Sequence, residues 1–262
     1  MAWLSLAKFQ LAPTKKLLSG NGPAPLLLLV VAALGWWFSV RTAHQMVMSN
    51  SGAMSMAGSS LSLLAFVGGW VAMMCAMMFP AIVPVVVLFR GAAIRGQAAP
   101  TPYFIVGYLL VWSAVGIPAY WAWKSLQGPL GSNAPWAARI AGTAFLVAAA
   151  YQGSPLKLVC LRHCRTPMSF FMRQRHNLRR PLGATFAGAT HGLTCFGCCW
   201  ALMAILVTLG TMQLAWMIIL ATLIYLEKVS VHGELVARTT ALAFVGLGAS
   251  LLIHPALLSR IT

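Results

Sequence analysis

Long apolar runs separated by short polar breaks recur along the whole chain. An apolar helix of about 18–20 residues, rising 1.5 Å per residue, crosses the roughly 30 Å hydrocarbon core of a bilayer. The runs predict helices over 25–40, 61–89, 103–123, 136–152, 183–209, 214–226 and 237–258. Punctuation agrees with these bounds: Pro25 suits a first helical turn, Gly210 a tight turn between the fifth and sixth runs, and Pro100, Pro102, Pro129 and Pro135 fall at or near connections. The pattern therefore predicts an all-α fold, a polytopic membrane helix bundle of about seven transmembrane helices. It forms a single transmembrane domain, 1–262, with a basic cytoplasmic loop and an interfacial helix at 153–182.

Composition strengthens this reading. Hydrophobic residues make up 60% of the chain and charged ones 8%, against about a quarter in soluble domains, too few to solvate a globular surface. Charge then sets orientation. There are 18 Lys and Arg against 2 Asp and Glu. With the N-terminus in the cytoplasm, Lys8, Lys15, Lys16, Arg90, Arg95, Lys157, Arg162, Arg165, Arg173, Arg175, Arg179, Arg180, Lys228 and Arg238 lie inside. Only Arg41, Lys124, Arg139 and Arg260 lie outside, so the bias predicts N-terminus in and C-terminus out. The basic residues sit in short connections rather than in a groove interleaved with aromatics, which argues against nucleic acid and for anionic lipid head groups as partners. Lys8, Lys15 and Lys16 precede an apolar run in the manner of a signal peptide, but no small-residue cleavage site follows, so the run is read as a retained helix.

The candidate chemistry lies in sulfur. Within the fifth run, Cys195, Cys198 and Cys199 follow His191 and precede Met203. At about 100° per residue, His191, Cys195 and Cys198 fall within ~60° of arc. In the second run, Met73 and Met77, and Met74 and Met78, form two i, i+4 rows around Cys75, with Pro80 freeing the Ala76 carbonyl and offering a kink. Thiolates and thioethers select soft ions, Cu(I) above all, with Zn(II) or another thiophilic metal as competitor. A buried Cys or Met more often only packs, yet three Cys in five positions beside a His exceed what packing needs. Ala184, Gly188 and Gly192 repeat every four residues on the same run, a smooth stripe for a neighbouring helix.

Two further groups flank the centre. The first outer loop carries His44, Met46, Met48, Met54 and Met56, two Met-x-Met units suited to metal capture. The inner segment carries Cys160, His163 and Cys164, with both thiols on one face if the segment is helical. Glu227 and Glu234 are the only acids; Glu227, beside Lys228, reads most simply as a solvated helix end, with an ion-pair or proton role for Glu227 and Lys228 as the alternative. No phosphate loop, carboxylate pair within a span or nucleophile turn is present, which favours a role other than catalysis.

Taken together, the segments Ala76-Met77-Met78-Phe79-Pro80, Tyr151-Gln152-Gly153-Ser154-Pro155-Leu156-Lys157 with Cys160 to Pro167, Gly197-Cys198-Cys199-Trp200-Ala201-Leu202-Met203, and Glu227-Lys228 resemble a bacterial family of metal-binding integral membrane proteins of unassigned function. The resemblance spans about residues 70–228. It implies an inner-membrane location and metal binding, and supplies no mechanism. The expectation is a multi-pass inner-membrane protein that binds a heavy metal, Cu(I) first, and transfers it to a metallochaperone or membrane oxidase. Two other classes stay open: a quinone-coupled thiol–disulfide oxidoreductase using Cys195 and Cys198, which have redox spacing, and a structural subunit whose sulfur residues only pack.

Overall fold

The computed structural model describes residues 24–50, 63–131, 135–165, 178–209 and 213–257. In hydrocarbon every backbone N–H and C=O must be paired within the chain, and helices meet that demand segment by segment. The described residues form eight α-helices and no strand. In chain order these are α1 (Ala24–Asn50), α2 (Leu63–Ile94), α3 (Thr101–Gly131), α4 (Pro135–Gln152), α5 (Pro155–Arg165), α6 (Pro181–Leu209), α7 (Leu214–Val229) and α8 (Gly233–Ile253), closed by a 3-10 turn at Pro255–Leu257.

Five of them, α1, α2, α3, α6 and α8, are long and apolar enough to cross a membrane. The pair α4 and α5 passes the same test only together, bent by 64°, which brings the count to six at most. Of the seven expected spans, two fall short of this test by themselves among the described residues. α4 is cut short at Gln152, and α7 has 16 residues, about 24 Å of helix against a core of roughly 30 Å. Large apolar side chains such as Leu64, Leu182, Leu242 and Ile253 point outward, as on a surface solvated by lipid.

The break between α4 and α5 follows from Gly153-Ser154-Pro155. The Ser154 hydroxyl accepts the Lys157 amide at 3.2 Å, an N-cap, while Pro155 takes the first helical position, where its missing N–H costs nothing. The turn sends α5 back against α6 and α7.

The small-residue stripe on α6 is used as the sequence suggests. A Cβ on Gly188 would collide with the Phe104 carbonyl of α3, and one on Gly107 of α3 with the Thr185 carbonyl of α6. Bare backbone faces bare backbone, so α3 and α6 form the most extensive interface of the bundle. α6 also packs on α4, α5 and α7, which makes it the central helix. On the far side, Gly35 of α1 lies against the Ala72 carbonyl of α2, where a Cβ would approach to 2.7 Å. α2 runs unbroken through Pro80 and Pro84. The Ala76 carbonyl left without an amide by Pro80 accepts the Trp36 indole N–H at 3.1 Å, so the orphan created by one helix is satisfied by its neighbour.

Candidate metal centre

Three helices bring sulfur to one buried point. From α6, Cys195, Cys198 and Cys199 are all inside the bundle; from α5 comes Cys164; from α2 comes Met78. The Cys164 and Cys198 Sγ atoms stand 3.7 Å apart. Two metal–thiolate bonds of about 2.3 Å span about 4.6 Å in line and about 3.8 Å at a tetrahedral angle, so an ion fits between these sulfurs in a bent array as they stand, whereas a linear array needs them about 0.9 Å further apart. The Cys198 and Cys199 thiols both donate to the Cys195 carbonyl at 3.0 Å. The Cys195 Sγ lies 3.1 Å from the Tyr108 hydroxyl of α3.

At the middle of this group sits a cation. Lys228, near the end of α7, directs its Nζ to Cys195 Sγ at 2.9 Å and to Met78 Sδ at 3.7 Å. The residue is 8% exposed. Glu227, its sequence neighbour, does not serve it. Its carboxylate instead accepts Lys157 Nζ at 2.6 Å and Gln152 Nε2 at 2.6 Å, and Lys157 also donates to the Gln152 carbonyl oxygen. Glu227 is 2% exposed and Lys157 fully enclosed. The solvated helix end expected for Glu227 is therefore corrected to a buried ion pair: successive helical residues point about 100° apart, so Glu227 faces α4 and α5 while Lys228 faces α6.

The remaining sequence candidates divide. His191 is buried one turn before Cys195, with its ring 6.0 Å from that of Phe104 and 6.1 Å from that of Tyr108. Met73, Met74, Cys75 and Met77 are buried in the same core; Met74 lies one turn from Met78 on the same face, and Met78 is the member of the row with a polar contact to Lys228. Cys160 is half-buried against Gly197, where a Cβ would lie 3.1 Å from its Sγ. His163 is exposed and its Nδ1 bonds the Val159 carbonyl of its own helix at 2.9 Å, so it leaves the expected inner group. Among the described residues no three His, Cys, Asp or Glu side chains are arranged to hold a metal ion. What the fold presents instead is a thiol pair with a thioether and a further thiol across an ammonium. His44 is exposed at the end of the first span, and the side chains of Met46 and Met48, with Met54 and Met56 entire, lie outside the described residues.

Lys157, Gln152 and Tyr108 are the functional neighbours that the sequence reading missed. Tyr151 is another: its hydroxyl donates to the Gly197 carbonyl beside Cys198, and its ring stands edge-on to Trp200 at 4.9 Å. Intramembrane polar residues need partners, and that rule was the available signal. With only two acids in the chain, a buried Glu had to find a Lys or Arg from another helix.

Residues 67–251 match the PpoB2 family, described as copper chaperone. The chain belongs to that family. The match contains every residue of the sulfur cluster, from Met78 through Cys164 and Cys195–Cys199, as well as Lys228. No curated protein and no solved structure matches the chain. A copper-related role, expected from the soft ligands, thus agrees with the family description, which is narrower than the unassigned metal-binding family that the motifs resemble.

Proposed function

We propose that this chain is an integral protein of the bacterial inner membrane that accepts Cu(I), holds it at the Cys164–Cys198 pair with Cys195 and Met78 beside it, and passes it to an acceptor such as a metallochaperone or a membrane oxidase. The observation that carries the reading is the 3.7 Å approach of two thiols from separate helices, buried next to a thioether. The groups gathered at this point are thiols and a thioether, the soft donors that Cu(I) prefers. In this reading His44, Met46, Met48, Met54 and Met56 gather the ion at the outer face, and thioether exchange along Met73, Met74, Met77 and Met78 carries it inward, with His191 and Cys199 as reserve donors.

The redox alternative is less well supported. Cys198 donates its thiol to the Cys195 carbonyl at 3.0 Å and has a sulfur neighbour on another helix, Cys164 at 3.7 Å, so it is not confined to a Cys195–Cys198 couple.

Purified protein in lipid nanodiscs, loaded anaerobically and titrated with a Cu(I) chelator, tests the proposal. One Cu(I) per chain is expected. Cys164→Ser and Cys198→Ser should each weaken binding at least tenfold, about 1.4 kcal/mol, whereas His163→Ser should change nothing. Equal affinity in the wild-type chain and the Cys164/Cys198 double Ser variant would remove the site.

A further inference from the structure

Lys228 is a charge without a carboxylate. The chain has two acids, and both are committed: Glu227 to Lys157 at 2.6 Å, and Glu234 to Arg162 at 2.8 Å on the exposed side. An ammonium buried in apolar surroundings is costly unless a negative group faces it. The groups that face Lys228 are sulfurs, Cys195 at 2.9 Å and Met78 at 3.7 Å, with the Cys164–Cys198 pair in the same cluster. The fold commits one of its two acidic side chains to Lys157, on another helix, and leaves Lys228 to the sulfur site.

We propose that Lys228 is the specificity-determining residue of this site, a fixed positive charge that selects a monovalent over a divalent soft ion. The inference rests on the copper-binding reading above. When Cu(I) binds two thiols, two protons leave to water and the bis-thiolate complex carries one negative charge. Lys228 brings that assembly to zero, the state a low-dielectric interior favours. Zn(II) on the same two thiolates is already neutral, and beside Lys228 it leaves an uncompensated positive charge. Ligand softness alone admits both ions; the added charge separates them. The ammonium also donates to Cys195 at 2.9 Å, which occupies a lone pair of that sulfur.

The test compares Ag(I) and Cu(I) with Zn(II) and Cd(II) by competition titration on the full chain in nanodiscs, for the wild type, Lys228→Met, Lys228→Gln and Lys228→Arg. The wild type should prefer the monovalent ions. Both neutral variants should lower the monovalent-to-divalent affinity ratio at least tenfold, mostly by gaining Zn(II) and Cd(II), while Lys228→Arg keeps the ratio. Either neutral variant alone suffices if the other does not purify folded. An unchanged ratio in a neutral variant, or an Arg variant that shifts as far as the Met variant, overturns the inference and leaves the copper reading standing. A wild-type chain that binds neither Cu(I) nor Ag(I) defeats the copper reading itself.

Discussion

Glu227 shows how sequence adjacency misleads in a helix. Next to Lys228 it reads as a solvated helix end, yet the two side chains face different helices, and its partners are Gln152 and Lys157 from either side of the α4–α5 bend. Breaking a buried pair by removing one member leaves the other uncompensated, which costs about 3–5 kcal/mol, whereas replacing both members with neutral groups is often close to neutral. Glu227→Gln should therefore lower the thermal midpoint in detergent by many degrees, and Lys157→Met/Glu227→Gln should recover most of it. A double variant as unstable as the single would show that the pair is not what holds α5 to α7. The sulfur residues were legible because their types and spacing carry the chemistry. Lys157, Gln152 and Tyr108 were not, because each acquires its role from a helix distant in sequence.

At the scale of elements, the stripe Ala184, Gly188 and Gly192 predicted close packing, and the α3–α6 interface is built on it. What no single run could show was the complementary Gly107 on α3, which meets the Thr185 carbonyl of α6 where a Cβ would stand. The interface also positions Tyr108 against Cys195. Gly188→Ala should thus destabilise by about 1–3 kcal/mol through forced separation of the backbones and weaken Cu(I) binding along with stability. Gly246→Ala in α8, where an added Cβ meets nothing within 4 Å, should leave both unchanged. Equal tolerance of the two substitutions in a chemical denaturation series would count against the packing argument. The α4–α5 bend was half legible: Gly153-Ser154-Pro155 marks a stop, but the 64° return that carries Cys164 under α6 depends on packing against that helix.

The whole molecule is a bundle around α6 in which α2, α5 and α7 deliver one sulfur, another sulfur and a cation to the same buried point. Apolar periodicity located the seven longer helices, with bounds close to those observed except that α1 and α3 run on well past the predicted ends at 40 and 123, to Asn50 and Gly131. Among the described residues five helices are long and apolar enough to cross a membrane and α4 with α5 is a sixth candidate, while α7, with 16 residues, is shorter than those five. In the proposed function, sulfur from separate helices forms one coordination sphere for Cu(I). X-ray absorption at the copper edge of the loaded chain should then show a first shell of sulfur alone, lost when Cys164 and Cys198 are both replaced by Ser. A first shell of nitrogen and oxygen, or a spectrum that survives that replacement, would contradict it.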